Sequence, residues 1–139
     1  MDNKIADSVV RIPTKLDIDF FKYWFRFLSP FHGLSPKQID VISELLYERY
    51  KLSKIIHDEE ILNQVLMNAE TMERVINRCN IGKSYFTVVL CRLKKLGIIL
   101  GDRINPRFIP QVKEDQDSFK LMLLFDFEKD VEQGVQKDS

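Results

Sequence analysis

The sequence predicts an α+β fold, mainly helical, from three observations. Several stretches repeat apolar residues at the 3.6-residue period of a helix, most behind a residue able to cap one. An aliphatic run, a Gly-Asp turn and a return run make one small hairpin near residue 100. A segment further on alternates as a strand does. At 139 residues and 45% hydrophobic, the chain is read as one domain over 1–128, with a polar tail over 129–139 expected to be disordered.

Taken in order, residues 8–12 are a short β-like run ended by Pro13. Residues 16–28 are an aromatic helix, capped by Asp17 or Asp19. Phe20, Trp24, Phe27 and Phe31 share its buried face, Phe21 and Phe25 extend that face, and Lys22 and Arg26 are left for water. Large aromatics dominate small cores, so packing is the first reading of this cluster; a dimer or protein-docking face is the second. Pro30 and Gly33 break the helix.

Ser35-Pro36-Lys37-Gln38 is a capping box with proline in the first turn. It opens a helix to Lys54 that buries Ile39, Ile42, Leu45, Leu46 and Leu52, with Arg49 at the margin and Glu44 and Glu48 facing away, where they could pair with nearby basic residues. Asp58 opens another, through Ile61, Leu62, Val65 and Leu66. Thr71 caps a helix over 72–79, Asn80-Ile81-Gly82-Lys83 is a turn, and Ser84 starts a helix ending at Leu96. Gly97 suits the left-handed residue after it. Ile98-Ile99-Leu100 and Arg103-Ile104 flank the Gly101-Asp102 turn, and Asn105-Pro106 kinks the chain. Residues 111–118 are a polar linker. Residues 119–127 are a strand with Phe119, Leu121, Leu123, Phe125 and Phe127 on one face. It joins the hairpin or pairs with 9–12, and a free edge would let a second copy form a homodimer.

Charge is the strongest functional signal. The chain is neutral, with 21 basic and 21 acidic residues, yet Arg74 to Arg107 holds eight cations against the single acid Asp102. Such a concentration fits a polyanion. On the helix over 84–96, Phe86, Val89, Leu90, Leu93 and Leu96 form the packing side. Tyr85, Val88, Arg92 and Lys95 form the outer side and are the candidates for contact with DNA bases, because Arg and Lys match guanine edges and apolar groups match thymine methyls. Lys83, Ser84, Lys94, Arg103 and Arg107 are the phosphate-contacting candidates.

Across residues 34–110 this pattern resembles the winged helix-turn-helix DNA-binding proteins. The likeness is carried by Ile81 in the turn, by Ser84 with the Phe86, Val89, Leu90, Leu93 series, and by the Leu96-Gly97-Ile98-Ile99 exit. It implies a winged helix-turn-helix core with an extra N-terminal aromatic helix and the C-terminal strand. It also implies sequence-specific binding of double-stranded DNA, as in a transcription or replication regulator, with Arg103 and Arg107 on or beside the wing. Two features depart from the family: a long insert over 57–70 and a short wing interrupted by Asn105-Pro106. The whole chain also resembles small proteins encoded by tailed bacteriophages. Because winged helices also dock proteins, the alternative is a structural or adaptor protein of a virion or polymerase assembly, using the aromatic helix or the edge strand.

Nothing in the sequence points to an enzyme, a cofactor or a metal. His32 and His57 have no partners at ligand spacing. Gly82-Lys83-Ser84 lacks the upstream glycine of a phosphate-binding loop, since position 77 is Asn77. Ser84 has no nucleophile motif around it. Cys79 and Cys91 are read as buried free thiols of a reducing compartment. The start lacks a signal pattern and no apolar run reaches bilayer length, so a cytoplasmic protein without a membrane partner is expected.

Overall fold

Ser35 starts the helix around which the others gather. In the computed structural model, which describes residues 8–129, Ser35 Oγ accepts the Gln38 N–H and Gln38 returns a bond to the Ser35 N–H. From this box runs α2, Pro36–Ser53. It touches α1 (Ile18–Phe27), α3 (Glu59–Leu66), α4 (Ala69–Cys79) and α5 (Lys83–Lys95). Val41, Ile42, Leu45 and Leu46 are buried because α2 faces neighbours on several sides.

Asp17 caps α1 by accepting the Asp19 N–H. Phe20, Phe21 and Phe25 are its buried aromatics. Phe27 and Phe31, expected on the same face, are exposed. The α-helix stops at Phe27 and Ser29–Phe31 is a 3-10 turn, so the 3.6-residue register that would align Phe31 does not continue. His32 is buried beneath this turn, its Nε2 on the Phe25 carbonyl and its Nδ1 accepting the Leu34 N–H, both at 2.9 Å. Trp24 Nε1 donates to the Phe108 carbonyl at 2.8 Å, and Phe25 stacks on the Phe108 ring. Helix α1 thereby holds the chain that follows the hairpin.

Asp58 caps α3 as expected. The cap of α4 is Asn68, not Thr71; Thr71 is buried and bonds the Val65 carbonyl instead. After α5, strands β1 (Ile99–Leu100) and β2 (Arg103–Ile104) pair antiparallel, Ile99 opposite Ile104 and Leu100 opposite Arg103. Gly101 takes φ +64° at the first turn position. This hairpin is the sheet of the described residues, which are otherwise mainly helical.

The chain divides into two units. One is Ile12–Glu114, which holds all the elements above; the other combines Met1–Arg11 with Asp115–Ser139, of which 8–11 and 115–129 are described. The strands expected over 8–12 and 119–127 are absent from the described residues: neither stretch forms a ladder with another described residue. Alternation marks which faces a strand would have, but a ladder needs a partner edge. Beyond Lys129, the polar tail lies outside the described residues.

Candidate nucleic-acid interface

The turn that presents α5 is built by backbone geometry. Asn80 ends α4 in the left-handed region at φ 56°, and the Ile81 N–H reaches back to the Ile76 carbonyl at 3.3 Å. Gly82 precedes α5 with no side-chain cap, so the first N–H groups of this helix lack a side-chain acceptor. The other end repeats the left-handed device: Gly97 takes φ +76° and the Ile98 N–H bonds the Leu93 carbonyl at 2.9 Å. Asn105 locks the hairpin to this exit, its side chain donating to the Gly97 carbonyl and its N–H to the Ile98 carbonyl.

Phe86, Val89 and Leu93 bury one side of α5. The expected base-contacting residues Tyr85, Val88, Arg92 and Lys95 are all exposed, as are Lys83, Ser84, Thr87 and Lys94. Val88 is 59% exposed, a high value for a β-branched apolar residue on an ordered helix. At 3.6 residues per turn, Lys83 and Lys94 border one edge of this arc and Arg92 and Tyr85 the other. Lys95, Val88 and Ser84 lie between them. Cys91, expected to be buried, sits in the middle of the exposed arc. Cys79 is buried, and desolvation, aided by the charges of Glu44 and Asp40, pushes its thiol up to about 11.

The eight cations of the basic span do not stand alike. Arg74 Nη2 donates to Glu48 Oε1 at 3.1 Å and Arg78 Nη1 to Glu48 Oε2 at 2.9 Å. Lys51 reaches Glu48 Oε2 at 3.3 Å, and Arg78 also lies 3.5 Å from Glu44 Oε1, an ion-pair distance without an aligned hydrogen bond. The Glu48 side chain is only 4% exposed. Glu44 and Glu48 therefore face α4, contrary to the expectation that they face away. The reason is a matched spacing: acids four apart on α2 meet arginines four apart on α4. Burial pushes both carboxyls upward. For Glu48 the hydrogen bond from Arg74 and the charge of Lys51 outweigh it and hold the group below its ordinary value. For Glu44 burial wins over Arg78, and the group is raised.

Arg103 lies 3.6 Å from its neighbour Asp102, an exposed and weak pair. Lys83, Arg92, Lys94, Lys95 and Arg107 form no ion pair with a described carboxylate. Of these, four lie on the exposed side of α5, and Arg107 is exposed in the Pro106–Phe108 turn after β2. Sequence counting thus overstated the uncompensated cations: Glu44 and Glu48 do pair with basic residues, as the sequence allowed, but their partners are Arg74 and Arg78 of the basic span and the carboxylates are buried.

No family model, curated protein or solved structure matches this chain. No group of residues able to hold a metal ion occurs among the described residues, and no helix there is long and apolar enough to cross a membrane.

Proposed function

We propose that the protein binds double-stranded DNA, with α2, α4, α5 and the β1–β2 hairpin acting as a winged helix-turn-helix. The observation that carries this reading is the exposed side of α5. It offers Lys83, Arg92, Lys94 and Lys95 without acidic partners among the described residues, interleaved with Ser84, Tyr85, Thr87 and Val88. An α-helix fits the major groove, where such groups find phosphates, guanine edges and thymine methyls. In this reading Tyr85, Val88, Arg92 and Lys95 meet bases. Lys83, Ser84, Lys94, Arg103 and Arg107 meet phosphates, and the uncapped first turn of α5 adds backbone donors. A regulator of transcription or replication is the role that suits a single small domain of this kind.

The test is fluorescence anisotropy with a labelled duplex over a salt series. Log affinity should fall linearly with log salt, at about 0.9 per phosphate contacted. Arg92→Glu with Lys95→Glu should abolish binding, while Arg74→Gln should leave the salt slope almost unchanged, because Arg74 is already engaged by Glu48. Wild-type binding by the double variant at matched salt would sink the assignment.

A second reading, a structural or adaptor protein, is favoured by the exposed apolar residues of the segment over 119–127. Self-assembly without a salt-sensitive response to DNA would favour it.

A further inference from the structure

The segment over 119–127 reads Phe-Lys-Leu-Met-Leu-Leu-Phe-Asp-Phe. Leu124 is 77% exposed, Phe125 79% and Phe127 86%, and Leu121, Met122 and Leu123 are also open. The segment belongs to the second unit, outside the helical one. Its sequence is close to a palindrome in chemical character. If two copies run antiparallel about Leu123, Phe119 stands opposite Phe127, Lys120 opposite Asp126, Leu121 opposite Phe125, and Met122 opposite Leu124. One step further out the same register sets Ser118 against Glu128, and two steps out Asp117 against Lys129. Directly opposed residues share a face, so Phe119 meets Phe127 on one face and Lys120 meets Asp126 on the other. Shifting the centre to Leu124 keeps one such pair, Lys120 against Glu128, but sets Asp126 against Met122 and Lys129 against Phe119 and separates the terminal phenylalanines.

From this complementarity we infer that the occupant of the segment is a second copy of itself: the protein forms a two-fold dimer through an antiparallel strand pair centred on Leu123. A two-fold contact must be self-complementary, and a segment that opposes Phe119 to Phe127 and Lys120 to Asp126 on its own reversal meets that requirement. A stable interface covers about 800 Å² per partner, and aromatic residues supply roughly 150–250 Å² each, so two exposed phenylalanines per chain provide a large share. This inference does not depend on the DNA reading.

The experiment is sedimentation velocity over a concentration series, with full-length variants and far-UV circular dichroism as the check that the helices are intact. Lys120→Asp places like charges opposite one another twice per dimer, and so does Asp126→Lys. Each alone should weaken dimerisation about tenfold or more. Mixing the two single variants should restore association as a heterodimer, and so should combining both substitutions in one chain. In a Cys91→Ser background, Leu123→Cys should give an oxidised covalent dimer and Leu124→Cys far less, because only Leu123 faces itself. A chain monomeric at every concentration overturns the inference. So does a dimer indifferent to both charge reversals, or one cross-linked through Leu124→Cys and not Leu123→Cys.

Discussion

Removing the Glu48 carboxylate would leave Arg74, Arg78 and Lys51 facing a buried void. Glu48→Ala is expected to destabilise the helical unit by about 2–3 kcal/mol, toward the lower end for a broken buried pair because the arginines are partly exposed. Chemical denaturation measures it. The sign with pH follows from the two carboxyls. Glu48 is held below 4.5, so its contribution is complete above that value and lost as pH falls through the lower folded value. Glu44 is displaced above 4.5, so its contribution is present in acid and lost as pH rises through the raised value. Between about pH 3 and 7, Glu48→Gln should flatten the acid limb of the stability profile. Glu44→Gln should instead remove a small loss on the neutral side. That Glu44 and Glu48 could meet basic residues is legible in the sequence; their burial and the identity of the partners are not, because α4 supplies those arginines only in the tertiary structure.

Helix ends were the most legible elements, since a cap is a local device. The box at Ser35, the Asp58 cap and the stop at Gly97 all stand in the structure where the sequence placed them. Gly97→Ala should cost about 1–2 kcal/mol, the penalty for a side chain in the left-handed region, although space for a methyl group is open there. Loss in thermal unfolding is the measure. The faces of α1 were less legible, because the Ser29–Phe31 3-10 turn is enough to rotate Phe31 out of register. For α5 the outer residues divide by role. Tyr85→Ala and Val88→Ala should reduce discrimination between duplexes of different sequence while leaving the salt slope unchanged, and competition binding with unrelated duplexes reads this out. The exposed arc of α5 was correctly placed by its period, whereas the worth of each cation depended on neighbours that only the tertiary structure supplies.

At the scale of the molecule, the division at Ile12 and Glu114 predicts separable properties. A chain trimmed to residues 12–114 should keep its helical circular dichroism and its salt-dependent affinity for duplex DNA, and should lose self-association. The two-unit division was not visible in composition, because the C-terminal segment is as apolar as a core strand. Its alternation suggests a strand that joins the hairpin or pairs with 9–12, yet among the described residues the sheet holds β1 and β2 only.

The two cysteines differ in a way that turns the protein into its own reporter. Cys79 is sealed within the core with a thiol that resists ionisation, whereas Cys91 is open on the outer arc of α5. A maleimide probe should therefore label a single position without any engineering. If that surface receives a double helix, added duplex should slow the alkylation, and the protection should fade as salt is raised.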